Sequence, residues 1–420
     1  MNYKETLEYI ENLQSLGSKP GLSRVTELAK LMKNPQNDLK IIHVTGTNGK
    51  GSTCAMIESV LVKAGYKVGK FSSPWIEKIN EYIYINGTPL SDEDFANAMS
   101  AAKEFADKME DHPTEFEVVT VAAYNWFKLQ KCDIVIMETG MGGIGDATNI
   151  IENPVVSIIT NVAMDHTKFL GETVEEIAEN KAGIIKENCP VLFGGEDEKA
   201  LKVIEKIAAE RKAELFTTDK PDVKSSGIRG SKFEYRGLDL EIPLAGEYQP
   251  QNAATAFDAL DILASVGFEI SDEDIISGFL AVKWKGRFEI LSENPLFIFD
   301  GGHNIHGILY AALSIKKYFG EKVNVLTGVL ADKEYARMAD ILSPLAENVF
   351  TVTPDNPRAL SAEKYAEVFH SKGVSAIACE TVSEGVKKAL ELSAKENRPL
   401  IAIGSLYMYK DVKKAVAYEL

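Results

Sequence analysis

Residues 41–53 read IIHVTGTNGKGST. An apolar β-type run passes directly into a glycine-rich turn that carries a lysine and hydroxyls, and a helix-forming stretch follows. Glycines let the backbone curl so that successive N–H groups point inward and cradle phosphate oxygens. The N-terminus of the following helix adds the positive end of its dipole. Lys50 supplies a full charge suited to β- and γ-phosphates, and Ser52 or Thr53 a hydroxyl to position a phosphate or a magnesium ion. The string departs from the G-x-x-x-x-G-K-[ST] spacing, because Gly51 stands between Lys50 and Ser52. A plain glycine-rich turn with a surface lysine is the alternative; a strand before and a helix after favour a nucleotide site.

Outward from this turn, short apolar strands alternate with helix-length segments. Strands are expected at 40–44, 133–138, 155–160, 190–193 and 214–217, with helices at 53–64 and 116–129. Such a pattern reads as a parallel sheet covered on both faces. The stretch 232–243, KFEYRGLDLEIP, alternates instead and has a turn at Arg236–Gly237, the mark of a β-hairpin added to the main sheet. After Gly286 a second series predicts strands at 296–300, 323–327, 348–352, 375–379 and 399–404, enough for a doubly wound domain of its own. The joint falls at 281–287, AVKWKGR. The chain is therefore expected to divide into an ATP-binding domain over 1–281, a linker over 282–287 and a C-terminal α/β domain over 288–420, with a cleft between the domains.

Composition narrows the function. The 420 residues carry 46 Lys+Arg against 62 Asp+Glu, a formal net charge of −16, with 45% hydrophobic and 26% charged residues. These values exclude a disordered chain, and the acidic balance argues against a nucleic-acid partner. Cys54, Cys132, Cys189 and Cys379 form no C-x-x-C pair, as expected of buried thiols in a reducing compartment. The start, MNYKETLEYIENLQ, is an acidic amphipathic helix rather than a signal peptide. No apolar run approaches the ~18 residues of a membrane span, so a cytoplasmic protein with no membrane partner is expected.

Two further stretches carry chemistry. Residues 133–143, DIVIMETGMGG, place Glu138 at the carboxyl end of a buried strand, where a carboxylate typically holds magnesium beside a phosphate loop. Residues 158–186, IITNVAMDHTKFLGETVEEIAENKAGIIK, end a strand near Asn161 and put Asp165 and His166 in the next loop. Thr173 and Glu176 match a capping box that opens a helix bearing Lys181. Alone, His166 reads as a loop histidine and Lys181 as a solvated helical lysine.

Taken together, these motifs resemble the folylpolyglutamate (tetrahydrofolate) synthases and their bifunctional dihydrofolate synthase relatives, which belong with the Mur ligases. The resemblance runs through TGTNGKGS, the SSP at 72–74, Glu138 through DATN at 146–149, NVAMDH and AENKAGIIK. It continues with GEYQPQNAATA at 246–256, GRFE at 286–289 and DGGHN at 300–304, in family order over nearly the whole chain. It implies a P-loop NTPase-like N-terminal domain with a mostly parallel sheet and a smaller Rossmann-like C-terminal domain. It further implies that Lys50 and the loop Gly46, Thr47, Asn48, Gly49, Gly51 and Ser52 bind ATP phosphates. Ser73, Glu138 and His166 would hold Mg²⁺, and Lys181 would become a carbamate that ligates a second Mg²⁺. Asn252 would lie near the adenine, while Arg287, Asp300 and His303 would reach ATP from the linker and C-terminal domain. The implied reaction joins L-glutamate to a folate, in a monomer, with Lys50, Lys181 and His166 as the catalytic set. Residues 19–32, KPGLSRVTELAKLM, resemble the pterin-side segment.

The chain also departs from the family pattern. Trp75 and Tyr82 stand where a His and an Arg are common, and Ile144 stands where an Arg is usual. Lys285, Gly302 and Ile305 differ as well. The first departures fall in loops expected near the folate or glutamate. They keep open two rivals: a Mur-type paralogue that ligates another acid, and an ATP-binding switch without ligation.

Overall fold

The computed structural model describes residues 1–15, 17, 19 and 21–419. Pro20, part of the expected pterin-side segment, lies outside the described residues. The chain forms two compact units. Unit 1 comprises 1–221, 235–240 and 251–282, and unit 2 comprises 222–234, 241–250 and 283–420.

Unit 1 is built on an eight-stranded sheet. Its strands are β1 (Ile41–Thr45), β2 (Val68–Phe71), β3 (Ile83–Ile85), β4 (Thr88–Pro89), β5 (Ile134–Glu138), β6 (Val156–Ile159), β7 (Val191–Phe193) and β8 (Leu215–Thr217), in the order β4-β3-β2-β5-β1-β6-β7-β8. From β2 to β8 every neighbouring pair is parallel, while β3 and β4 add an antiparallel edge. β1 and β5 are apolar runs buried at every position, as strands covered on both faces must be. One face packs Ile41, Val135 and Met137 against Val118, Val121 and Phe127 of the helix Glu115–Leu129. A second cluster joins Ile159, Val191 and Phe193 to Ile177 and Ile204. Each such side chain contributes roughly 1.5–3 kcal/mol by burial.

β2 was not evident from the sequence, because VGKF carries a lysine. Lys70 is nevertheless buried, paired with the equally buried Glu58 and lying 4.3 Å from the centre of the Tyr84 ring. Glu58 also accepts the Gly87 N–H at 2.7 Å. Removing either charge would strand the other in the core.

His43 of β1 is wholly buried, with Nε2 2.9 Å from Thr148 Oγ1 and Nδ1 without a partner. Burial, helped by the charge of Lys186, pushes its pKa down to about 3. The unfolded chain therefore binds a proton near pH 6.5 that the folded chain refuses until about pH 3. Stability should fall as pH drops below 6.5, by about 1.4 kcal/mol per pH unit over this window. We expect His43→Gln to flatten the Tm-versus-pH curve between pH 6.5 and 4.5; an unchanged slope would exclude His43 as its source.

The hairpin at 232–243 forms, but not on the large sheet. β9 (Asp222–Gly227), β10 (Gly230–Tyr235) and β11 (Leu238–Ile242) make a separate three-stranded sheet in the order β11-β10-β9. β9 reads DVKSSG, too polar to announce a strand, yet it pairs antiparallel with β10. Arg236 and Gly237 both have positive φ, +52° and +82°, as a two-residue primed turn requires.

Unit 2 holds a six-stranded sheet. Its strands are β12 (Glu289–Glu293), β13 (Leu296–Asp300), β14 (Val323–Thr327), β15 (Ala346–Thr351), β16 (Ser375–Ala378) and β17 (Leu400–Ile403), in the order β12-β13-β17-β14-β15-β16. All its pairs are parallel except β12–β13. The helix Ile305–Phe319 leaves β13 with Asn304 as its cap, the side chain accepting the Gly307 N–H at 2.7 Å. Among the described residues, no helix is long and apolar enough to cross a membrane.

Candidate active site

The glycine-rich turn lies between the carboxyl ends of β1 and β6. Thr47 N–H donates to Asn161 O at 3.0 Å, and Asn48 N–H to Asn161 Oδ1 at 2.9 Å. Thr160 Oγ1 donates to Asn48 O at 2.7 Å, and Thr47 Oγ1 to Ala163 O at 3.1 Å. Gly49, at φ +83°, precedes the helix Lys50–Lys63. Lys50 Nζ folds back over the turn and donates to Gly46 O at 3.0 Å. Ser52 and Thr53 are buried in the first turn of that helix. Asn252 flanks the turn so closely that a Cβ on Gly49 would lie 2.4 Å from its Oδ1.

Gly46 is constrained twice, by φ +154° and by a Cβ position 1.9 Å from Thr160 Oγ1. Gly46→Ala should displace the Thr160 hydroxyl that holds Asn48. It is expected to raise the KM for MgATP about tenfold or more, at a stability cost of about 1–3 kcal/mol. Initial rates over a range of MgATP, with Tm measured alongside, check both; an unchanged KM would remove the turn from nucleotide binding.

Glu138 ends β5, next to β1, and is almost fully buried. Its Oε2 accepts a short hydrogen bond from Ser72 Oγ, the serine next to the expected magnesium ligand Ser73. Ser73 is half-buried beside it in sequence. His166, at φ +49°, starts the short helix Thr167–Leu170, with Nε2 3.8 Å from Asp165 Oδ2. The capping box of Thr173 and Glu176 opens the helix Val174–Ala182, whose last turn carries Lys181.

Lys181 is 2% exposed, and its pKa is pushed down to about 7. Burial is the main cause and the charge of Lys50 the next, partly offset by Asp165 and Asp146. This amine therefore gives up its proton far more readily than a solvated helical lysine does.

The loop after Glu138 is fixed by residues that the sequence did not single out for this task. Asp146 accepts the Met141 N–H at 2.9 Å and the Thr148 hydroxyl at 2.6 Å, and burial holds its carboxyl above the usual range. Asn180 accepts the Gly143 N–H through Oδ1 and the Ile144 N–H through its carbonyl, both at 3.0 Å. A Cβ on Gly143 would lie 2.6 Å from Lys181 O, so glycine lets the loop dock on the Lys181 helix. Ile144, one of the departures, stands half exposed on this loop. Tyr82, another, stacks on Phe71 at 5.7 Å and reaches Glu115 Oε1 at 3.4 Å, while burial raises the Glu115 pKa.

In unit 2 a second group gathers where β12 and β13 begin and end. Asp300 is 1% exposed and turned inward. Its carboxylate accepts the Tyr248 hydroxyl, the Phe288 N–H and the Gly302 N–H, which anchors it to its own loops. His303 Nδ1 lies 2.9 Å from Gly301 O. Arg287 passes over Gly301, where a Cβ would come within 2.7 Å of Nη1.

Unit 1 offers three donor types: the Glu138 carboxylate bonded to Ser72 at the end of β5, the His166 imidazole in the loop after β6, and the Lys181 amine of lowered pKa on the following helix. They suit Mg²⁺, which keeps several waters and takes few protein ligands alongside substrate phosphates. Among the described residues, no three His, Cys, Asp or Glu side chains form a ready-made cation cage.

Comparison with known proteins places the chain in a family. The Mur ligase middle domain matches residues 44–260, and the Mur ligase glutamate ligase domain matches 286–406. The folylpolyglutamate synthase of Lacticaseibacillus casei is 35% identical, covering 99% of both chains. The dihydrofolate synthase/folylpolyglutamate synthase of Bacillus subtilis is 36% identical over 98% of both. A solved FPGS–AMPPCP–folate complex superposes with a TM-score of 0.85 at 32% identity, covering 99% of this chain and all of the other. With its phosphate-type loop, its buried Glu138 and Lys181, and these matches along its length, the chain belongs to the folylpolyglutamate synthase/dihydrofolate synthase family of Mur ligases.

Proposed function

We propose that the chain is an ATP-dependent amide ligase that adds L-glutamate to a reduced folate, with release of ADP and phosphate. The relatives' names and the folate-bound neighbour support the substrates. The observation that carries the chemistry is the pairing of the Gly46–Ser52 turn with a buried lysine whose pKa is near 7. Within 1–281, the segments of unit 1 would supply ATP binding; 282–287 would be the linker, and 288–420, joined in unit 2 by 222–234 and 241–250, the second ligase domain.

The folate carboxylate attacks the γ-phosphorus, the bond to the ADP oxygen breaks, and an acyl phosphate forms. The glutamate amine then attacks the acyl carbon, phosphate leaves, and the amide remains. The N–H groups of the turn and the helix dipole bind the phosphates, and the Lys50 ammonium swings from Gly46 O to offset the repulsion between the two anions. Ser73, Glu138 and His166 would hold Mg²⁺, which when bound neutralises charge on the transferring phosphoryl group. Lys181, whose burial favours the neutral amine, would add CO₂ and release a proton, giving a carbamate whose oxygens would suit a second Mg²⁺ where an ammonium would repel it. Asn252, Arg287 and His303 contribute to ATP binding. The enzyme works as a cytoplasmic monomer.

The test is ADP release with MgATP and L-glutamate, comparing reduced folates, dihydropteroate and no acceptor. Turnover requiring both a reduced folate and glutamate supports the ligase, and the dihydropteroate lane decides on dihydrofolate synthase activity. Silence in every folate lane with MgATP binding intact would favour another acid substrate, to which the Ile144 loop would then point. Silence with every other acid as well would leave an ATP-binding switch.

A further inference from the structure

We propose that Tyr248 is a positioning residue for Arg287, acting through the Asp300 carboxylate; the proposal rests on the ligase reading only for what Arg287 contacts. Asp300 Oδ2 accepts the Tyr248 hydroxyl at 2.8 Å and the Phe288 N–H at 3.1 Å, and Oδ1 accepts the Gly302 N–H at 2.8 Å. Gly301 N–H donates to Gly286 O at 2.9 Å, so 286–288 and 300–302 are strapped together with Arg287 between the bonds.

The strap holds an uncommon backbone. Phe288 has φ +46°, and its ring is buried edge-on against Tyr318 at 5.5 Å. A bulky residue keeps a left-handed conformation only where its surroundings over-determine it. Asp300 does so from one side. From the other, Glu289 accepts the Gly286 N–H at 2.6 Å through Oε2 and the Tyr409 hydroxyl at 3.0 Å through Oε1. Phe288 directly follows Arg287, so relaxing its φ would swing the guanidinium away from Gly301. Tyr248 lies in the stretch GEYQPQNAATA, yet it belongs to unit 2, whereas Asn252 of the same stretch belongs to unit 1.

Tyr248→Phe removes this hydroxyl and keeps the ring that packs on Tyr310. Because the Arg287–Phe288 bond is a trypsin site, limited proteolysis reads the strap without substrate. Cleavage after Arg287 should accelerate about fivefold or more while cleavage after Arg211 stays at the wild-type rate, since opening is local. In kinetics, kcat/KM for MgATP should fall about tenfold in the wild-type background but less than about twofold in an Arg287→Ala background, with KM for glutamate unchanged. Tyr409→Phe should show the same pattern more weakly. Wild-type protection of the Arg287 bond in Tyr248→Phe, or equal falls in both backgrounds, overturns the proposal. Failure of the ligase reading would look different: no acceptor-dependent ADP release from the wild type, with the proteolysis result standing.

Discussion

Lys50→Ala is expected to cut kcat for folate- and glutamate-dependent ADP release by about 10³-fold. The reason lies in where Lys50 already sits. Its ammonium rests 3.0 Å from Gly46 O, over the turn that opens the helix Lys50–Lys63, so little reorganisation would separate the resting position from a working one. No other side chain in the turn carries a positive charge. The variant should still fold, because the turn is tied down by Asn161 and Thr160 rather than by Lys50. Single-turnover rates and Tm measured together test the point. A loss below about tenfold, with Tm unchanged, would take Lys50 out of phosphoryl transfer.

A comparably large loss, about 10²–10³-fold, is expected for Lys181→Met and equally for Lys181→Arg. The arginine keeps a positive charge but cannot give up its proton, so it cannot become a carbamate. A lysine needed only as a cation would instead tolerate the change. The wild type stripped of CO₂ in acid should regain activity with bicarbonate, and the initial rate should rise about tenfold from pH 6 to pH 8 as an amine of pKa about 7 loses its proton. Full activity in Lys181→Arg, or reactivation independent of pH, would defeat the carbamate. Stability gives an independent readout. The folded pKa is depressed from 10.5 to about 7, so between those values the unfolded chain binds more protons and stability from this group rises with pH. Lys181→Met removes that slope and should leave Tm no lower at pH 7.

What the sequence disclosed tracks burial chemistry. β1, β5 and β14 could be read because every position is buried and each is mostly apolar, with a single strongly polar side chain (His43, Glu138 and Asn324) that does not break the run. β2 escaped because a charge cancelled by Glu58 looks, one residue at a time, like a solvated lysine. β9 escaped because its side chains are exposed or half-buried and its pairing is carried by main chain. The same division runs through the site. The phosphate turn is local, and its glycines announce it. The hydrogen-bond partners of Asp300, Tyr248 and Phe288, lie 52 and 12 residues away, a placement no spacing rule encodes. Nor did the SSP string say which serine faces Glu138, since adjacent residues of an extended chain point to opposite sides.

The interleaving of the two units has a consequence for synthesis. Segments 222–234 and 241–250 are made long before the rest of unit 2, which begins at 283. Glu247 shows what this means: its N–H awaits Ser314 Oγ at 2.9 Å and its carboxylate awaits Lys317 at 2.8 Å. A nascent chain must therefore hold part of its second unit open until some seventy further residues have emerged. A gene cut at residue 282 would not yield two autonomous halves. It would yield one half carrying orphaned pieces of the other, and useful split points must leave 222–250 with the residues that complete it.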